Sequence, residues 1–365
     1  MKIFHIQEDF VLESGVVLNG IDIAYHTYGT LNPAADNAVW VCHALTANSD
    51  VADWWSGLVG PGRVIDPDQY FIVCANILGS CYGSTGPQEN NPKTGVPFGK
   101  DFPLVTIRDI VNAQIMLRKH LEINKIRLAL GGSMGGQQAL EWAVMEPEKL
   151  EQICVLATNA KHSPWGIAFN EAQRMAIETD PTTYDNHKDA GRAGLAAARA
   201  VAMLSYRNYL TYQSTQSESD DHKIDNFSAS SYQRHQGKKL VDRFNVLSYL
   251  SLSRSMDSHN LARGRGSIAE ALQSIRARTL VIGIRTDVLF PIEEQSLLTT
   301  YIPRSRLEII DSLYGHDGFL VETEVIGALV KPFLAGKSFL NSKEARKLVK
   351  GRLSVDPAMP GSETF

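Results

Sequence analysis

The sequence predicts a mostly parallel, doubly wound α/β sheet interrupted by one helical insertion. Two observations lead there. Short apolar runs alternate with helix-like segments over the first 160 residues and again towards the end of the chain. Between them, from about Asn159 to Ser267, only helical spacing is left.

The runs Ala38 to Cys42, Tyr70 to Ala75, Ile126 to Leu130 and Gln152 to Ala157 are each bounded by polar residues. Continuous apolar runs of this length suit strands buried on both faces of a parallel sheet. Val105 to His120 and Gly136 to Met145 carry apolar residues at helical spacing. Within the insertion, Phe169 to Glu178, Ala190 to Met203 and Gln236 to Leu252 read as helices, and Ser214 to Asp221 as a polar loop. The strand pattern resumes at Thr279 to Ile284 and Arg306 to Ile310, and Val321 to Leu334 closes the fold as a helix. The expected organisation is a core over 1–160 and 268–340, a helical lid over 161–267, and a polar tail over 341–365.

A chain of 365 residues can bury about 75% of its unfolded surface, so the core needs no metal or disulfide. Lys and Arg total 36 against 40 Asp and Glu, a net charge of −4. No basic tract or face points to nucleic acid as the main partner. No run approaches the roughly 20 apolar residues that span a bilayer. The N-terminus MKIFHIQEDF lacks the apolar stretch of a secretory signal. Of the four cysteines, Cys42, Cys74, Cys81 and Cys154, none forms a CxxC pair, and Cys42, Cys74 and Cys154 sit in apolar runs. They read as free thiols of a reducing, cytoplasmic compartment. The sequon at Asn226 is then a chance match, and no metal site is expected.

Gly131-Gly132-Ser133-Met134-Gly135 fits G-x-S-x-G, after an apolar strand and before a helix. That context is the nucleophile elbow of an α/β-hydrolase fold. A sharp strand-to-helix turn exposes the serine hydroxyl, and the helix N-terminus favours negative charge on a substrate oxygen. A serine hydroxyl is a weak nucleophile and needs a base oriented by an acid. In this fold the chain order is serine, acid, histidine. Asp287 follows a late strand in a loop that would open on the site. His316 lies in the loop after the next strand. Asp311 is the rival acid, but it ends its strand. For the oxyanion hole, the N–H groups of Met134 and Leu45 are the expected donors. His43, beside Leu45, reads as a packing or loop-bonding residue.

Cys42-His43-Ala44-Leu45-Thr46, the elbow with Gly136, Ala139-Leu140-Glu141-Trp142 and Tyr314-Gly315-His316-Asp317-Gly318-Phe319-Leu320 together resemble homoserine O-acetyltransferases of the MetX type. Gly60-Pro61-Gly62, Gly83-Ser84-Thr85-Gly86-Pro87 and Gly264-Arg265-Gly266 extend the resemblance over about residues 10 to 335. It implies transfer of an acetyl group from acetyl-CoA to L-homoserine in methionine biosynthesis, through an acyl-serine intermediate. It implies no bound cofactor, only acetyl-CoA as co-substrate, and a homodimer formed through the lid. Arg199 matches the family arginine that grips the substrate carboxylate, Tyr206 a neighbouring contact, and Asp317 the residue that receives the ammonium. After Thr46 the chain reads Ala47-Asn48-Ser49-Asp50 and departs from many relatives. Relatives on the same scaffold use succinyl-CoA, and others accept serine. No Arg or Lys occurs from His43 to Asp53, which favours acetyl, unless a residue remote in sequence supplies a cation. Gly264-Arg265-Gly266 reads as a turn before a helix, and no Gly-rich phosphate loop is evident. A hydrolase using water, and a non-catalytic ligand-binding scaffold, are the other readings.

Overall fold

The computed structural model describes residues 1–185 and 187–336; Asn186 and the expected tail over 341–365 lie outside the described residues. Eight strands make one sheet: β1 (Lys2–Val11), β2 (Val17–Tyr28), β3 (Ala38–Val41), β4 (Phe71–Ala75), β5 (Ile126–Gly132), β6 (Gln152–Leu156), β7 (Arg278–Ile284) and β8 (Ser305–Ile310). Their order is β1-β2-β4-β3-β5-β6-β7-β8. From β4 to β8 every pairing is parallel, whereas β1 and β2 run antiparallel at one edge. The expected α/β class is the one observed.

Helices α1 (Val51–Trp54), α2 (Ile107–His120) and α3 (Met134–Met145) connect the first parallel strands. Then come α4 (Pro164–Glu178), α5 (Arg192–Tyr206), α6 (Tyr209–Gln216), α7 (Ser228–Val241), α8 (Val246–Asp257) and α9 (Ile268–Gln273), with no strand between β6 and β7 among the described residues. The chain closes through α10 (Ile292–Tyr301), α11 (Gly318–Val321) and α12 (Thr323–Leu334). None of the described helices is long and apolar enough to cross a membrane.

Alternation along the strands divides the core between the two faces of the sheet. Trp40 joins the cluster of α2 and α3, and its ring meets Trp142 edge-on at 4.9 Å. Its neighbours Val39 and Val41 join the opposite cluster with Val325, Ile326, Leu329, Val330 and Phe333 of α12. A strand that feeds two faces must be apolar throughout, as these runs are.

Several elements differ from the sequence expectation. The hairpin β1–β2 was not expected. β1 is an edge strand and mixes His5, Gln7, Glu8 and Asp9 with its apolar residues, with a register shift between Ile6 and Asp9. The helix expected over Gln236 to Leu252 is two, because Asn245 Oδ1 accepts from the Leu247 and Ser248 N–H groups and starts α8 afresh. The loop expected from Ser214 begins inside α6. Helix α2 starts at Ile107, where Thr106 and Asp109 form a capping box. The turn around Gly264 does precede a helix, α9, whose first residue is Ile268.

A partly buried ion network joins the β1–β2 turn, α2, α3 and the turn before α9. Glu141 Oε1 accepts from Arg108 Nε at 2.8 Å and from Arg265 Nη2 at 2.5 Å. Arg108 and Arg263 also hold Glu13. The Glu141 side chain is only 3% exposed. Its replacement by glutamine leaves two arginines facing a neutral group, and is expected to destabilise the fold by about 3 kcal/mol. Urea denaturation followed by tryptophan fluorescence measures this, and an unchanged midpoint would refute it.

Candidate active site

The elbow is built from β5, one residue of turn, and α3. Ser133 has φ +56° and ψ −125°, a conformation that L residues rarely adopt. Close packing holds it there. Ser133 N–H donates to Leu156 O, and Thr158 Oγ1 donates to Ser133 O at 2.8 Å. A Cβ on Gly135 would come within 2.1 Å of Cys42 O, and one on Gly132 within 2.3 Å of the Phe319 ring. Glycine at these two positions is what lets helix and strand close around the serine.

Asp287 and His316 meet in space across 29 residues of sequence. His316 Nδ1 lies 2.7 Å from Asp287 Oδ2. A carboxylate oxygen only accepts, so Nδ1 carries the proton and Nε2 is left as the basic nitrogen. The other Asp287 oxygen accepts from the Leu289 and Phe290 N–H groups at 2.8 and 2.9 Å. Phe290 stacks on the His316 ring at 5.1 Å, and Phe319 meets it edge-on at 5.4 Å. Phe319 is the same ring that presses on Gly132, so the histidine loop lies beside the residue before Ser133. Ser133, Asp287 and His316 are 6%, 5% and 3% exposed. Among the described residues Ser133 Oγ makes no hydrogen bond to His316; such contacts often tighten only around substrate. Asp311, the rival acid, instead pairs with Arg285 at 2.6 Å.

The Met134 and Leu45 N–H groups donate to no acceptor among the described residues. Gln138 Nε2 ties their two segments together, donating to His43 O at 3.0 Å and Met134 O at 3.2 Å. His43 is fully buried, and burial pushes its pKa down to about 4. The ring is therefore neutral; it contacts Ala44 O through Nδ1 and accepts the Ile77 N–H at Nε2. It props the loop, as the sequence suggested.

The helices between β6 and β7 bring their own groups to this histidine. The Tyr206 ring lies 5.8 Å from His316, and the Arg199 guanidinium lies over Tyr206 at 5.2 Å. Asp317 follows His316 and forms an ion pair with Arg207 at 3.3 Å. Arg207 is a partner that sequence reading missed, although it follows Tyr206 directly. Arg243 was missed too. From 197 residues away it donates to Thr46 O at 2.5 Å, and it reaches Tyr82 Oη at 3.0 Å. This is a cation remote in sequence at the loop after His43.

A strained serine between strand and helix, beside an Asp-oriented histidine, defines the α/β-hydrolase class of protein. A family model described as alpha/beta hydrolase fold matches residues 37–323. Within that class the chain belongs to the homoserine O-acetyltransferase family. It is 49% identical to the homoserine O-acetyltransferase of Cyclobacterium marinum over 91% of this chain and 94% of that protein. It superposes on the crystal structure of the Bacillus anthracis homoserine O-acetyltransferase with a TM-score of 0.83, 25% identity and coverage of 91% and 96%. The crystal structure of an esterase is as similar in shape, with a TM-score of 0.84, 25% identity and coverage of 91% and 99%.

Proposed function

We propose that this protein transfers the acetyl group of acetyl-CoA to the hydroxyl of L-homoserine, with Ser133, His316 and Asp287 as the catalytic triad. Ser133 Oγ attacks the thioester carbonyl while His316 Nε2 takes its proton. The Met134 and Leu45 N–H groups receive the developing oxyanion. The C–S bond breaks, and the proton on His316 passes to the departing thiolate. The homoserine hydroxyl then gives its proton to His316 and attacks the acyl-serine carbonyl. The bond to Ser133 Oγ breaks, and the proton returns to the serine.

One observation carries the choice of acceptor: α5 sets Tyr206 5.8 Å from the histidine that Asp317 follows, with the Arg199 guanidinium over the Tyr206 ring. A guanidinium suits a carboxylate and an aspartate suits an ammonium, so the cluster fits a free amino acid. Asp317 would share its charge between that ammonium and Arg207. Arg199→Ala is expected to raise the KM for homoserine at least tenfold, while thiol release in the first half-reaction keeps its rate. An unchanged KM would remove Arg199 from the site.

The similarity to an esterase keeps hydrolysis as a second reading. Water exclusion separates the two, since an acyl-enzyme open to water hydrolyses. Thiol release and O-acetylhomoserine are to be followed with and without homoserine. Steady thiol release that ignores homoserine would sink the transferase reading. Succinyl-CoA belongs in the same assay as a rival donor, and serine as a rival acceptor. The same proposal places the product in methionine biosynthesis and the enzyme in the cytoplasm, as a homodimer. Exposed apolar lid residues such as Tyr209 and Ile224 suit that interface, and light scattering reads the mass directly.

A further inference from the structure

Beyond the acyl site, a cleft of about 240 Å³ opens where the α7–α8 junction meets the loop after β4 and the turn before α5. Lys188, Arg192 and Arg243 line it, with Asp242 as its acid and Gln88 and Asn245 as neutral polar groups. The charges do not cancel. Asp242 is already shared, at 2.6 Å with Arg192 and 2.5 Å with Lys238. Arg243 spends its hydrogen bonds on uncharged oxygens, those of Thr46 and Tyr82. Neither Arg243 nor Lys188 has a carboxylate within ion-pair distance among the described residues. An oriented guanidinium and an ammonium without a carboxylate partner, lining one cleft, suit a polyanion.

Its position says which polyanion. Arg243 grips Thr46, and Leu45, the residue before it, offers the N–H proposed for the oxyanion. One residue of the cleft therefore touches the loop that carries the proposed oxyanion donor. An acyl-CoA has that layout: a thioester at one end, phosphates at the other, and a flexible arm between.

We propose that Lys188 and Arg243 bind the phosphate groups of the acyl-CoA donor in this cleft. The proposal rests on the reading that an acyl-CoA is the donor. It replaces the missing Gly-rich loop with side-chain cations contributed by the lid.

Three donors test it: acetyl-CoA, acetyl-dephospho-CoA and acetyl-pantetheine, which carries no nucleotide. In the wild type, kcat/KM is expected to be highest for acetyl-CoA, and its advantage over acetyl-pantetheine to shrink as salt rises. Lys188→Glu, at an exposed position, is expected to cut the acetyl-CoA to acetyl-pantetheine ratio about tenfold. A loss confined to acetyl-CoA assigns the lysine to the 3′-phosphate, and a loss shared with acetyl-dephospho-CoA assigns it to the pyrophosphate. Equal wild-type use of all three donors, or an unchanged ratio in Lys188→Glu, overturns the proposal and leaves the acyltransferase reading standing. A wild type that releases thiol from none of them overturns that reading itself.

Discussion

Replacing Ser133 by alanine is expected to lower acetyl transfer about a million-fold and to abolish the acyl-enzyme adduct in mass spectra. The loss is so large because the residue supplies the atom that carries the acetyl group, and no hydroxyl stands in for it at the turn. Alanine keeps the strained φ of +56° and the contacts of the main chain, so the fold should survive with little change in thermal midpoint. Glycine at the same position tests the geometry separately. It adopts positive φ without penalty, and relief of such strain is worth about 1–3 kcal/mol. Ser133→Gly should therefore be as inactive as the alanine variant yet melt at a higher temperature. An acyl adduct on either variant would refute the nucleophile. A Ser133→Gly protein no more stable than Ser133→Ala would refute the stored strain.

The parts legible in the sequence are those whose chemistry is local. The elbow announces itself in five residues because a tight turn demands small neighbours around the serine. Asp287 and His316 could be chosen because fold order restricts each to one loop. Strands β3, β4 and β6 were legible because burial on two faces makes a run apolar almost throughout, whereas β8 keeps Arg306 and Glu308 and is only partly buried. β1 and β2 face water on much of their surface, and their alternation was overlooked, although Ile21, Ile23 and Tyr25 in β2 keep period-two spacing and are all buried. Two arginines that contact the candidate site's loops could not be read at all. Arg207 on Asp317 and Arg243 on Thr46 are pairings between distant segments. Nothing in local spacing distinguishes such an arginine from a solvated one; only the packing of the lid on the core does.

Replacing Asp287 by asparagine is expected to cost about ten-thousand-fold in kcat while leaving the protein folded. The carboxylate has two separate tasks. One oxygen accepts the Leu289 and Phe290 N–H groups, and asparagine Oδ1 can still do so. The other accepts the His316 Nδ1 proton. In the variant an amide NH₂ faces that nitrogen, and two donors cannot face each other. The imidazole must move its proton to Nε2, where it can no longer take one from Ser133. Alanine would remove both tasks and leave two buried N–H groups without acceptors, so it would confuse a folding defect with a catalytic one. Asparagine separates them. Because one histidine serves both half-reactions, thiol release and the homoserine-dependent step should slow together in Asp287→Asn. If rapid mixing showed only the second step slowed, a different base would have to activate Ser133, and the shared-base mechanism would fall.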